Sequence, residues 1–257
     1  ADLLTLTVSG EGDLIVTNAI TSTLVRTVDA SATTGAVTIL ASNAVVATTA
    51  TAGSGVFTFT GGALADSITG GTAADILGGG NGADIINAGS GSDNVTGGNG
   101  ADVINVGSGT DTLTLGADAQ SAVSTRTTAA TANTIDLTGA DVVTGMAAGD
   151  IIDLEGLGLA TVGVNADNQL LGAADVDMTD GLVDNTFALI RGSWIAGTTT
   201  GSGTFIQNIA GTDTLFLVDA NQLTAGQSYE AVVLVGTAGV TGTATTVANT
   251  IVTLANL

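Results

Sequence analysis

The sequence predicts an all-β chain, a parallel β-solenoid followed by a mainly β C-terminal cap. Three observations predict it. Residues 61 to 114 divide into six consecutive nonapeptides in unbroken register, GGALADSIT, GGTAADILG, GGNGADIIN, AGSGSDNVT, GGNGADVIN and VGSGTDTLT, which is the short fixed period of a stacked repeat. The stretches on either side alternate apolar and polar residues with period two, as half-buried strands do. The apolar fraction, 44%, is chiefly Ala, Val, Ile and Leu with one Trp, one Tyr and five Phe, and small apolar side chains suit the thin core of a solenoid.

Within the repeats each fixed residue type has a physical task. The second position is always glycine, which lets the backbone turn sharply with φ > 0 while its carbonyl stays free to face an ion. The sixth is always aspartate (Asp66, Asp75, Asp84, Asp93, Asp102, Asp111), a hard oxygen ligand. The eighth is always aliphatic (Ile68, Leu77, Ile86, Val95, Ile104, Leu113) and falls in a short strand, so one apolar side chain per repeat points inward and stacks on its equivalents. Ile76, Ile85 and Val103 occupy the seventh position, opposite the core column. Either the roll is flattened enough to half-bury them or another surface covers them.

The remaining chain divides around this block. Residues 1–60 carry the strand-like runs LLTLTV, DLIVT, AVTIL and GVFTFT between Gly, Ser, Asn and Asp turns, an irregular β-solenoid lead-in. Residues 61–115 form the regular roll. Residues 116–257 form a β-rich cap, assembly and secretion domain. Its first part, GADAQSAVSTRTTAATAN, reads as a loop or short helix, and FALIRGSWIAG, GSGTFIQNIAG, TDTLFLVDANQ and YEAVVLVG read as an antiparallel meander. An open solenoid end exposes strand edges and a hydrophobic column, so a cap is physically required. Trp194 is read as cap packing, with sugar stacking as the alternative, and Asp29 as a turn residue or an extra metal ligand.

Charge and composition exclude several classes of function. There are 24 acidic residues against three arginines, no lysine and no histidine, for a formal charge of −21. That balance argues against nucleic-acid binding, which needs a basic footprint, and against docking on anionic lipid. Cysteine is absent, so disulfides are unavailable and bound metal is the remaining staple. Without His, Cys or Lys there is no Ser-His triad, thiolate nucleophile, His-ligated zinc or Schiff base. A pair of carboxylates can hydrolyse a glycoside, but Asp153 and Glu155, the nearest candidates, lack aromatic subsites. The chain is therefore read as not an enzyme. No apolar run reaches the length of a transmembrane segment, and no N-terminal signal peptide is evident.

The nonapeptides resemble the RTX (repeats-in-toxin) family. The resemblance implies that two repeats make one solenoid turn of eighteen residues and that calcium sits between stacked turns on both edges. One row of carboxylates would then be Asp66, Asp84 and Asp102, the other Asp75, Asp93 and Asp111. Strand spacing sets successive members roughly 4.8 Å apart, where bare carboxylates repel by about 1 kcal/mol per pair in water and by more at lower dielectric. The family's remaining ligands are turn carbonyls, which implicates Gly62, Gly71, Ala73, Gly80, Gly82, Gly89, Gly91, Gly98, Gly100, Gly107 and Gly109. Leu64 and Ala73 stand where the fourth-position glycine is expected, and Ala88 and Val106 open the fourth and sixth repeats, which puts the sites near Leu64 in doubt. A flexible cage of oxygen ligands favours several calcium ions over magnesium.

The lead-in TLVRTVDASATTGAVTIL resembles solenoid turns of bacterial surface-layer proteins. TIDLTGADVVTGMAAGDIIDLEGL resembles a post-repeat module of RTX proteins, whose Asp141, Asp150 and Asp153 cap turns or hold one more ion. The last residues, TTVANTIVTLANL, resemble an uncleaved type I secretion signal and equally read as a final strand. Together these resemblances imply a protein secreted to the exterior or cell surface of a Gram-negative bacterium. As a surface-layer scaffold, its partners would be copies of itself in a lattice or fibre, with cell-surface polysaccharide a further candidate. The alternatives are the secretion and folding tail of a larger RTX hydrolase or toxin, and an RTX adhesin.

Overall fold

The computed structural model describes residues 5–16, 26–42, 44, 46–115, 122–124, 134–154, 163–164, 186–200, 202–207, 210–219, 229–237, 241–244 and 251–255. Among them there is no helix, and the chain is all-β. The first strands are β1 (Thr5–Gly10), β2 (Leu14–Val16), β3 (Thr27–Thr33), β4 (Val37–Leu40), β5 (Thr49–Thr51) and β6 (Phe57–Thr60). The repeats continue them as β7 (Ser67–Thr69), β8 (Ile76–Asn81), β9 (Ile85–Asn87), β10 (Asn94–Asn99), β11 (Val103–Asn105) and β12 (Thr112–Thr114). Odd-numbered strands stack in parallel in one sheet and even-numbered strands in a second, so each turn contributes one strand to each face.

Chain length per turn shortens along the roll. Thr5, Thr27 and Thr49 are register partners 22 residues apart, whereas Thr49 to Ser67 and Ser67 to Ile85 are 18. The longer turns belong to the lead-in, which is continuous in hydrogen bonding with the regular repeats. Eighth-position side chains fill the space between the sheets as expected. Ile68, Ile86, Ile104 and Val143 stack on one side, and Leu77, Val95, Leu113 and Ile152 on the other, all buried. Phe57 and Phe59 stack at 5.6 Å between ring centroids and extend this core toward the N-terminus. Each such side chain contributes about 1.5–3 kcal/mol by leaving water. Ala88 and Val106 are fully buried, so these departures from glycine serve core packing.

After β12 the chain leaves the roll and returns. The strands here are β13 (Ala122–Ser124), β14 (Thr134–Thr138), β15 (Asp141–Thr144) and β16 (Ile151–Asp153). β15 pairs in parallel with β11 and β16 with β12. The register partners Val103 and Val142 are 39 residues apart where Ile85 and Val103 are 18 apart, so an excursion of 21 residues is spliced into one turn. Part of the stretch read as a loop or short helix is strand β13, which pairs antiparallel with β14. It covers an edge of β14 that would otherwise present unpaired backbone groups.

The C-terminal strands are β17 (Gly163–Val164), β18 (Thr186–Ala196), β19 (Gly203–Gln207), β20 (Asp213–Asp219), β21 (Tyr229–Leu234), β22 (Thr241–Ala244) and β23 (Ile251–Ala255). They close both sheets of the roll: β21 adds in parallel to β15, and β23 adds antiparallel to β16. The antiparallel character expected of residues 187–235 is present, but the order is β19-β18-β20-β21 and not that of a sequential meander. The chain crosses to the far side of β18 through Gly211, which packs directly on the backbone of Gly192 where no side chain fits and whose carbonyl accepts a 2.9 Å hydrogen bond from Arg191 Nε. Half-buried Trp194 packs its ring over Gly203 on the paired strand, as a packing residue does.

Candidate metal centre

Each repeat aspartate sits where a glycine-rich turn enters a strand, and its two carboxylate oxygens have different tasks. Oδ1 reaches back one turn and accepts a backbone N–H. Asp84 Oδ1 accepts from Asp66 N at 2.7 Å and Asp102 Oδ1 from Asp84 N at 2.7 Å. In the second row Asp93 Oδ1 accepts from Asp75 N at 2.8 Å and Asp111 Oδ1 from Asp93 N at 2.9 Å. The two rows therefore form on opposite edges of the roll. Both continue past the matched spacing: Asp141 Oδ1 accepts from Asp102 N and Asp150 Oδ1 from Asp111 N, each at 2.8 Å and each 39 residues on.

Oδ2 divides the repeats into two kinds. In the first two repeats it is capped by the second-position amide of its own turn, Gly62 N to Asp66 Oδ2 at 2.7 Å and Gly71 N to Asp75 Oδ2 at 2.8 Å. In the later repeats Asp84, Asp93 and Asp111 each hold a buried Oδ2 with no hydrogen-bond partner. Turn conformation explains the division. Gly82, Gly91, Gly100 and Gly109 at the fourth position all have positive φ, between 121° and 145°, as do the second-position glycines of the same turns. Leu64 and Ala73 carry a Cβ that disfavours that conformation, and Gly62 and Gly71 are absent from the positive-φ set. The turn closes differently and its amide swings onto the carboxylate. At Gly98 a second constraint operates, because a Cβ there would run into the carbonyl of Gly80 in the preceding turn.

Burial pushes the carboxyl of Asp84 up to about 7, with added repulsion from Asp102 and Asp66, and that of Asp93 up to about 6, with added repulsion from Asp75 and Asp111. Asp66, Asp75 and Asp111 are raised by burial as well. A carboxyl with a higher pKa folded than unfolded binds more protons in the native state, so stability of the metal-free roll falls as pH rises from about 4 through about 7. In chelator the chain is accordingly expected to be more ordered at pH 5 than at pH 8. Circular dichroism melts at the two values check this, and equal or reversed melting temperatures would contradict it.

An unpartnered buried carboxylate oxygen costs several kcal/mol, and a row of them is the donor chemistry of an oxygen-ligated divalent cation. Among the described residues no three acidic side chains gather at one point, so a cation between turns would draw the rest of its shell from backbone carbonyls. The carbonyls of Gly62, Gly71 and Gly89 already accept N–H bonds from Asn81, Ser90 and Ser108 of the next turn, which uses one of two lone pairs on each. The structure places all six repeat aspartates and the turn residues Gly80, Gly82, Gly89, Gly91, Gly98, Gly100, Gly107 and Gly109 on the two edges of the roll. Asp29 is elsewhere: it accepts from Ser31 N and Oγ at 3.1 and 2.6 Å, bonds that hold its carboxyl below the usual range. Asp153 lies in β16, and Glu155 falls outside the described residues.

Two features were missed in the sequence. One is the membership of Asp141 and Asp150 in the rows, announced by GADVV at 139–143, which repeats GADVI at 100–104. The other is a set of side-chain ladders beside the turns, Asn99 Nδ2 to Asn81 Oδ1 at 2.5 Å, Asn105 Nδ2 to Asn87 Oδ1 at 3.2 Å and Ser108 to Ser90 at 3.2 Å.

The family model of the RTX calcium-binding nonapeptide repeat, four copies, matches residues 60–95 and again 78–113. This part of the chain is an RTX β-roll, and its repeats are of the calcium-binding kind. No curated protein matches the chain. No helix among the described residues is long and apolar enough to cross a membrane.

Proposed function

We propose that the chain is a non-catalytic, secreted structural protein of the surface-layer kind, in which calcium drives both folding and association with further copies. The observation that carries the calcium part is the series of buried, partnerless carboxylate oxygens at Asp84, Asp93 and Asp111. Secretion is supported by the RTX repeats, which belong characteristically to proteins exported by bacteria. Low free calcium inside the cell would keep the repeats unfolded and exportable, and millimolar calcium outside would fold them.

Self-association is supported by charge and by the outer faces. At −21 the chain repels its own kind until cations neutralise it. Ile85 and Val103, 57% and 37% exposed, are neighbours on the outside of one sheet, while Ile76, 49% exposed, stands on the outside of the other. The three therefore do not form one patch, and each broad face of the roll offers apolar contacts. Light scattering across 0 to roughly 10 mM calcium, the range of weak extracellular sites, tests the reading. Growth of sheets or filaments with calcium is the expected result. A chain that folds with calcium yet stays monomeric at high concentration would instead favour the secretion and folding tail of a larger protein.

A further inference from the structure

We propose that the cation column is displaced one turn toward the C-terminus relative to the six repeat aspartates. It is absent between Asp66 and Asp84 and between Asp75 and Asp93, and its last member on the second edge lies across the excursion, between Asp111 and Asp150. This rests on the calcium reading above and assigns which inter-turn gaps of this chain hold an ion.

Each Oδ2 belongs to the gap with the following turn. At Gly79 the Oδ2 of Asp84 and the carbonyl of Gly97, one turn on, converge on the same point beside the glycine, and at Gly61 the Oδ2 of Asp66 and the carbonyl of Gly79 do the same. In the gap after Asp66, however, the Gly62 amide already occupies that oxygen, and in the gap after Asp75 the Gly71 amide does. A fixed N–H dipole stands where a cation would stand. Releasing it needs the positive-φ turn that Leu64 and Ala73 oppose.

The gap after Asp111 is the opposite case. Asp111 Oδ2 is buried and partnerless, its turn has the open form with φ of 93° at Gly107 and 145° at Gly109, and the next turn in the stack is the one that ends at Asp150. Three contacts fix that neighbour: Asp111 N donates to Asp150 Oδ1, Ile151 N donates to Asp111 O at 2.8 Å, and β12 pairs with β16. A cation here has Asp111 Oδ2 as its carboxylate ligand and turn carbonyls for the rest of its shell, because both oxygens of Asp150 accept amides, Oδ1 from Asp111 N at 2.8 Å and Oδ2 from Ala147 N at 2.6 Å. The capped Asp150 Oδ2 closes the gap beyond and makes this the last member of the row. The cation clamps the excursion shut and holds β16, on which β23 is built, against the roll.

Crystals of the full chain grown with calcium, read by anomalous scattering, locate the ions without any substitution. Density between Asp111 and Asp150 with none between Asp66 and Asp84 is the expected result. Density between Asp66 and Asp84, or none at Asp111–Asp150 while other gaps are filled, overturns the assignment but leaves the calcium reading standing. No calcium in any gap overturns both. In solution Asp111→Asn, which keeps the Oδ1 acceptor for Asp93 N, should lower the calcium bound per chain in equilibrium dialysis, and Asp66→Asn should not. Loss of calcium in Asp66→Asn equal to that in Asp111→Asn contradicts the proposal.

Discussion

In excess chelator at neutral pH the regular roll is expected to unfold, and millimolar calcium is expected to restore it. The reason is local. By pH 8 the carboxyls of Asp84 and Asp93, raised to about 7 and about 6, have lost their protons inside a stack whose neighbours are also aspartates. Each then holds a buried charge with one oxygen unsatisfied, and the rows offer no lysine or histidine to pair with it. Binding to the folded state alone adds about 2.7 kcal/mol for each site held at 100 times its Kd, and several sites together exceed the marginal stability of a domain. Folding and metal binding are then one equilibrium. Unchanged circular dichroism and melting temperature in chelator would sink this coupling. The capped oxygens of Asp66 and Asp75 make the lead-in side the part that chelation disturbs least.

The second large effect is a ranking that reverses with conditions. With calcium present, Asp93→Ala should damage folding more than Asp66→Ala. Asp93 accepts the Asp75 amide through Oδ1 and leaves Oδ2 for a cation. A hydrogen bond to a charged group is worth about 1.5–3 kcal/mol, which corresponds to a calcium midpoint raised roughly tenfold to a hundredfold. In chelator at pH 5 the order should invert. Asp66 is then the carboxyl with both oxygens occupied, by the amides of Thr48 and Gly62, and its removal strands two buried donors at about 1–3 kcal/mol each. Asp93→Ala removes a group that is badly placed without metal. Calcium titrations together with acid-pH melts of the two variants measure both halves, and equal losses in calcium refute the ranking.

The regular part of this molecule was legible because its physics repeats. Asp84 follows Asp66 by the same interval that separates each turn within the nonapeptide block, and Ile86 must stack on Ile68 if the aspartates align. The outward Ile76 and Ile85 followed from the two-residue alternation of the strands, although their placement on opposite faces requires knowing which sheet each repeat enters. In the sequence Asp141 and Asp150 read as turn caps or as ligands of one more ion, because an excursion of unrelated composition hides the period even though the rows resume in register beyond it. The capping of Asp66 by Gly62 was illegible for another reason. Leu64 shows as a departure from pattern, but the direction in which the amide then points depends on a backbone conformation that composition does not encode. The pairing of β20 with β18 depends on a tight Gly192–Gly211 crossing that no alternation pattern reveals.

Because the aspartate bonds and the Asn81–Asn99 and Ser90–Ser108 ladders link residues 18 apart, the roll works as a ruler graduated in whole turns. Removing 18 residues from its middle brings Asn against Asn, Asp against Asp and the downstream chain back to the same edge, merely one strand spacing closer. Removing nine exchanges the two edges, puts Ser90-type residues where Asn81-type residues stood, and delivers everything downstream to the wrong sheet. The 39-residue step to Asp141 and Asp150 obeys the same graduation, since its surplus is looped out and the stack advances by one turn. Length in this architecture is quantised, and lineages of such chains can lengthen or shorten by whole turns while every interlocking contact is conserved.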